Sequence, residues 1–450
     1  MSDTIFALAS GIGRAGIGVI RLSGPDAGTA LRALLRPTPQ GGSPSGETLP
    51  PPRRASLRRL FDPVSGEILD QALTLWLPGP GTFTGEDQTE LHIHGGLAVR
   101  AAVLGALSRV PGCRAAEPGE FTRRAFINGR LDLSAVEGLA DLIDAETEAQ
   151  RRQAVRQLEG ALAYQVQDWR ARLIEASACL EAALDFTDEE DVPAEIADRA
   201  SVLMDGVQRE IQTVLADAGR GERLREGFTV VIAGPPNSGK STLLNALARR
   251  DVAIVSPVAG TTRDAIEVRC DLGGLPVTFV DTAGLRATID PVEHAGIART
   301  QAHMEKADLV LWLEPPDTEL GTAQPAESSP MIRVRTKADL ERPISGSDPE
   351  AVAISAKTGS GVETLIERVR EQVEAGLGVG DALITRERHR VALDETTASL
   401  GRAEAVLRTG RDELAAEDLR LALRALGRVT GQVDVEEVLD RIFGQFCIGK

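Results

Sequence analysis

Two hydrophobic rhythms divide the chain. Up to residue 118, apolar and polar side chains alternate as they do in strands; beyond it, apolar positions recur at the three- and four-residue spacing of helices. Residues 1–118 therefore read as a mixed α/β unit. IGVIRLSG and ALTLWLPG predict strands, TELHIHGG predicts a strand ending in a glycine turn, and residues 26–35 and 97–110 predict helices. Residues 37–53, rich in Pro, Gly and Ser, predict a surface loop. From GEFTRRAFINGRLDL onward, residues 119–218 predict long helices, with Leu139, Leu142, Ile143, Leu158 and Leu162 on their apolar faces. A second helical stretch, 381–450, carries Leu419, Leu421, Leu423 and Leu426. Neither stretch has a complete core of its own. The simplest topology packs the two together around an inserted domain, 219–380, joined through GRGERLREG and GLGVG, both expected to be flexible. Two separate helical domains are the alternative.

The inserted stretch has its own pattern. Val230, Val231 and Ile232 form the apolar run of a buried parallel strand, and Leu243, Leu244 and Leu247 have helical spacing. Between them GPPNSGKS, residues 234–241, fits G-x-x-x-x-G-K-[ST] at Gly234, Gly239, Lys240 and Ser241. In a strand, loop and helix setting, the backbone N–H groups of Asn237 to Thr242 and the helix N-terminus face a polyphosphate. Lys240 neutralises its outer oxygens and Ser241 ligates magnesium.

Four further stretches follow in order: GTTRD (260–264), DTAG (281–284), TKAD (336–339) and SAK (355–357). Their succession identifies a GTPase, an α/β domain of the phosphate-loop class. Asp281 ends the strand VTFVD and holds the magnesium ion through water, with Thr262 of GTTRD as a further ligand; the Gly284 N–H senses the γ-phosphate. Asp339 accepts from the donors on guanine N1 and N2, a pair that adenine lacks. Lys337 accompanies it, and Ser355, Ala356 and Lys357 close over the base. Two departures matter. Thr336 stands where Asn is commoner, keeping a hydroxyl but losing a carboxamide, which predicts a weaker nucleotide grip. Leu285 follows DTAG where many small GTPases orient water with glutamine, so hydrolysis must recruit another group.

Composition narrows the partners. A length of 450 residues suggests about three domains. Formal charge is −17, so any RNA contact must come from a local basic patch or a partner subunit. Aromatics at 3% exclude a surface built of stacking platforms. Cys113, Cys179, Cys270 and Cys447 are scattered, which indicates neither a disulfide framework nor a zinc ribbon. The start lacks a basic leader and no apolar run is long enough to span a bilayer, so a cytoplasmic protein is expected. Gly11, Gly13 and Gly16 spell G-x-G-x-x-G, but IGVIRL follows instead of a helix, so the dinucleotide fingerprint lacks its context. His92 and His94 share a strand face without a third ligand, which reads as structural.

With these stretches in place, the whole chain resembles the MnmE (TrmE) family of tRNA-modifying GTPases, down to its terminal FCIGK. The resemblance implies α/β plus all-α architecture: an N-terminal α/β folate-binding and dimerisation domain, a discontinuous helical domain and an inserted P-loop GTPase domain. It implies Glu293 as the residue that positions the attacking water. A potassium ion would be held by Asn237 and the loop of Ser256, Val258 and Thr261, beside the β- and γ-phosphates. A reduced folate, 5-formyl- or methylene-tetrahydrofolate, would contact Arg21, Glu90, Arg130 and Lys450. Arg130 replaces a lysine of some relatives, which keeps charge but changes geometry. The family works as a homodimer with an FAD-binding partner protein, MnmG (GidA), in a heterotetramer, and modifies C5 of the tRNA wobble uridine with a folate one-carbon unit and then glycine or ammonia. The alternative is a ribosome-assembly GTPase acting as an RNA-binding switch. It calls for a basic RNA-binding module, and the sequence displays none.

Overall fold

The computed structural model describes residues 3–11, 13–35, 49–185, 193–250, 252–254, 267–281, 307–316, 330–340, 350–378, 382–433, 439, 442–444, 446 and 448–449. They form two compact units, 1–140 with 430–450, and 141–429.

The first unit is built on a six-stranded sheet of described strands in the order β3-β4-β5-β2-β1-β6. These are β1 (Thr4–Leu8), β2 (Ile17–Ser23), β3 (Ser56–Phe61), β4 (Ile68–Leu77), β5 (Gln88–His94) and β6 (Cys113–Ala115), all antiparallel except the parallel β1 and β6 pair. The sequence pattern had given β2, β4 and β5. One face, with Ile20, Leu22, Leu60, Leu91 and Ile93, is covered by α1 (Ala27–Leu35) and α2 (Leu97–Leu107) through Leu31, Leu34, Val103 and Leu107. Each such side chain contributes on the order of 1.5–3 kcal/mol by leaving water. On the other face Ile5 and Ala7 meet Phe121 of α3 (Glu120–Ile127). The chain's end closes this unit: Ile442, Phe443 and Phe446 pack on Leu133 and Val136 of α4 (Leu133–Asp144).

In the second unit, α5 (Glu148–Leu158) is capped reciprocally by Thr147 and Gln150. Then come α6 (Ala161–Asp185), α7 (Pro193–Ala216) and α8 (Ala218–Glu226). GRGERLREG was expected to be a flexible joint, yet it forms α8. Its Gly221 is selected by close packing: a Cβ there would lie 2.0 Å from the Ile384 carbonyl oxygen. Trp169, Leu173 and Leu180 of α6 and Val207 and Ile211 of α7 share one core with Leu393 and Leu400 of the helix Glu387–Leu407 and Leu419 and Leu426 of the helix Asp412–Thr430. The two helical stretches thus complete each other. No helix among the described residues is long and apolar enough to cross a membrane.

Between them lies a second sheet, of six described strands in the order β12-β11-β10-β7-β9-β8. Its strands are β7 (Phe228–Ala233), β8 (Glu267–Asp271), β9 (Pro276–Asp281), β10 (Leu309–Glu314), β11 (Met331–Arg335) and β12 (Val352–Ala353). All pairings are parallel except β8 with β9. The helices α9 (Lys240–Ala248) and α10 (Val362–Leu377) bury Leu243, Leu247, Leu365 and Val369 against Val230, Ile232 and Leu311.

Candidate nucleotide site

The phosphate loop leaves the carboxyl end of β7, a central strand flanked by β9 and β10. Open α/β sheets bind ligands at that edge. Gly234 has φ +147°, and a Cβ would stand 2.7 Å from the Leu313 carbonyl oxygen, so the loop can pass only as glycine. Asn237 at φ +61° and Gly239 at φ +96° then turn the backbone into α9. Such turns gather N–H groups into an anion-binding concavity. The Lys240 ammonium donates to the carbonyls of Gly234 and Pro235 at 3.0 and 2.9 Å, which holds its charge over the loop. Ser238 is fully buried and its Oγ has no hydrogen-bond partner among the described residues.

Ser241, at the end of the loop, meets Asp281. The Ser241 hydroxyl donates to Asp281 Oδ2 at 2.6 Å, and Asp281 is 1% exposed at the end of β9. A hydroxyl beside a carboxylate offers the hard oxygen donors that magnesium takes, so the residues fit that ion. Among the described residues no cluster of three His, Cys, Asp or Glu suits a metal, and a magnesium ion that shares its ligands with phosphates and water calls for none.

On the base side, β11 runs into the positive-φ residue Lys337 (φ +58°) and a short turn, Ala338–Leu340. The Thr336 hydroxyl donates to the Ser238 carbonyl at 2.8 Å, which ties this turn to the phosphate loop. Asp339 is exposed, and a hydrogen bond from Ser355, its own backbone N–H and the Lys357 ammonium hold its carboxyl below the usual carboxylate range. It therefore stays an acceptor. Ser355 is 1% exposed, and its backbone is fixed by bonds with Ser360 and Gly359.

In the first unit, Arg21 of β2 and Glu90 of β5 are register partners, joined at 3.2 Å. Phe83 and Phe121 stand under the Arg21 guanidinium, 5.8 and 6.0 Å from it. The stem of Arg130 lies beside Gly85 of the same loop as Phe83. Arg21 and Glu90 thus meet, and the loop 82–86 lies against both Arg21 and Arg130. Sequence reasoning missed Phe83 and Phe121, and with them the fully buried Arg124, which pairs with Asp3, Glu86 and Glu120. The one local signal was Glu120, four positions earlier on the same helix.

Ser256, Val258, Thr261, Thr262, Gly284, Glu293, Cys447 and Lys450 lie outside the described residues. Each of the two histidines has a carboxylate, His92 with Glu90 at 3.4 Å and His94 with Asp70 at 2.7 Å, in keeping with the structural reading. Burial pushes the Cys270 thiol up to about 12, and burial with the Asp26 charge pushes Cys113 to about 11, so neither is a ready nucleophile.

Two family models match this sequence: the MnmE helical domain over residues 133–447 and the TrmE N-terminus of a GTP-binding protein over residues 4–130. A tRNA modification GTPase MnmE from Methylobacterium sp. (strain 4-46) is 61% identical, with 100% of each chain covered. The protein of that name from Methylorubrum populi is 59% identical over 100% of this chain and 98% of its own. That from Parvibaculum lavamentivorans is 52% identical, again with 100% of each covered. Among solved structures, the FeoB G domain from Methanococcus jannaschii is 22% identical over 33% of this chain and 98% of its own, with a TM-score of 0.24.

Proposed function

The chain belongs to the MnmE family of tRNA modification GTPases, and from that premise we propose that it hydrolyses GTP to drive modification of the wobble uridine of tRNA. The observation that carries this reading is the convergence of Lys240, Ser241 and Asp281 at the carboxyl edge of a parallel sheet, in a chain matched from end to end by those relatives. Ser241, Thr262 and Asp281 would hold magnesium. Potassium would be held by Asn237, Ser256, Val258 and Thr261, neutralising charge that develops between the β- and γ-phosphates. Glu293 positions the attacking water, and Asp339 selects guanine.

The synthetic half of the reaction rests on Arg21, Glu90, Arg130 and Lys450, which bind a reduced folate. Support comes from the Arg21 and Glu90 pair beside the half-buried Phe83 ring, which sets a hydrogen-bonding donor and acceptor next to an apolar face. The protein acts as a homodimer in the cytoplasm, with an FAD-binding partner, MnmG, that supplies redox chemistry. A folate one-carbon unit then reaches uridine C5, followed by glycine or ammonia. Mass spectrometry of tRNA nucleosides from cells lacking this protein tests the reading: loss of the C5 aminomethyl-type groups is expected. Unchanged nucleosides would overturn it and reopen the ribosome-assembly alternative, which the comparisons do not favour.

A further inference from the structure

A cavity of about 470 Å³ in the second unit is walled by α5 and α8 on one side and by the β8 to β9 turn and the end of α10 on the other. That volume lies within the range of small-molecule sites, roughly 300–1,000 Å³. Its lining combines three guanidinium groups, Arg152, Arg156 and Arg220, with apolar walls such as Leu224 and Leu275. Arg220 is already held by Asp217 at 2.9 Å and donates to the Leu377 carbonyl, and Glu374, the one carboxylate among the lining residues, is engaged by Arg370 at 3.4 Å. In a chain of net charge −17 this is a local excess of positive charge.

One buried donor at the cavity lacks an acceptor among the described residues, and one exposed cation stands near it. Gln157 lines the cavity at 3% exposure, and its Nε2 has no hydrogen-bond partner among the described residues. Leaving a buried amide donor unmatched is unfavourable, and an acceptor in the cavity would relieve it. Arg152 reaches Glu148 only at 3.9 Å, because Arg151 holds that carboxylate at 2.7 Å. An oxyanion would satisfy the amide and would replace water at Arg152.

We propose that this cavity binds a small organic anion, a phosphate monoester or carboxylate carried on a flat apolar body. The oxyanion meets Gln157 and the arginines, and the body lies against Leu224 and Leu275. The apolar walls favour such a ligand over an RNA backbone, whose phosphates are spaced by polar riboses. Because helices and inserted sheet both contribute, an occupant bridges the nucleotide-binding domain to the helices that carry it.

The test is calorimetric titration of the full chain, its phosphate loop saturated with GDP and magnesium, with phenyl phosphate and, separately, benzoate. Saturable binding is expected, weakened roughly tenfold or more by Gln157→Leu and by the exposed-site change Arg152→Ala, the scale of one hydrogen bond to a charged group. The tighter of the two probes identifies the head group. Unchanged GDP affinity in each variant verifies its fold. Failure of both probes to saturate, binding indifferent to both substitutions, or tighter binding of a short single-stranded RNA lost in the same variants would each overturn the proposal.

Discussion

The Thr336 hydroxyl and the Ser238 carbonyl are joined at 2.8 Å, both residues buried, across 98 positions of sequence. The bond fastens the base-side turn to the phosphate loop. Threonine lacks the carboxamide of asparagine, and the attachment between the loops is made here by its hydroxyl. Thr336→Val keeps the shape and deletes the donor, leaving a buried carbonyl unmatched. The expected cost is about 1–3 kcal/mol of domain stability. Faster release of GDP should accompany it, and Thr336→Ser should restore both. Urea denaturation and stopped-flow release of a fluorescent GDP would measure this; a valine variant equal to the parent would make the bond idle.

Base selection is proposed to rest on Asp339, whose carboxyl is held low first by Ser355 and then by its own N–H and Lys357. Asp339→Asn exchanges one of its two acceptors for a donor, which mismatches guanine N2 and suits the oxygen that xanthine carries there. Competition between GTP and xanthosine triphosphate should then favour the latter. Continued preference for GTP would remove Asp339 from the base-reading role.

The phosphate loop was legible because its residue types are dictated by backbone geometry: Gly234 has no room for a Cβ and Gly239 must take φ +96°. What the sequence hid was context. β1 is Thr4 followed by only four apolar residues, and β3 is an edge strand whose Leu57, Arg58 and Arg59 are exposed, so neither shows a clean alternation. α8 was hidden by Gly219 and Gly221, read as linker residues although Gly221 answers to Ile384, far along the chain. Arg124 escaped notice for the same reason, since its partners Asp3 and Glu86 are remote in sequence.

Hydrolysis should depend on Glu293, which lies outside the described residues. Glu293→Ala is expected to keep GTP binding and to lose hydrolysis by on the order of 10²-fold or more. Sodium in place of potassium should slow the parent enzyme, and Asn237→Ala should abolish the difference between the two salts. A rate indifferent to the cation would dispose of the potassium site, whatever the fate of Glu293.

Acid stability should report on the buried arginine. Burial pushes the Glu120 carboxyl up, but hydrogen bonds from Arg114, the Glu117 N–H and Arg124 outweigh it and hold it below its ordinary value of 4.5. A depressed carboxyl contributes stability that is fully present above 4.5 and is lost as pH falls through the lower folded value. Arg124→Met leaves its carboxylates without their buried cation, a loss of about 3–5 kcal/mol at neutral pH. The penalty should shrink as pH drops below that range and the carboxyls protonate. Denaturant titrations of both proteins at neutral and acidic pH would show it; a penalty constant with pH would place the effect in packing instead.

The chain's end offers a test that separates the two activities. Ile448 forms a bridge with Pro118, and Phe446 is buried beside Phe443, so the tail docks on the first unit instead of fraying. Gly449 makes that docking possible: its φ is +97°, and a Cβ would stand 2.1 Å from the Leu8 carbonyl oxygen. A backbone oxygen cannot swing aside as a side chain would. Gly449→Ala must therefore lift the final residues from Leu8, taking with them Lys450, the proposed folate contact. The expected result is loss of tRNA modification and weaker folate binding, with intrinsic GTP hydrolysis near the parent rate, because Lys240, Ser241 and Asp281 belong to the other compact unit. Deletion of residues 447–450 should give the same pattern. Nucleoside mass spectrometry and a phosphate-release assay on the same preparation decide it. Equal loss of both activities would indicate a folding defect, and retention of both would show that the placement of the tail serves neither reaction.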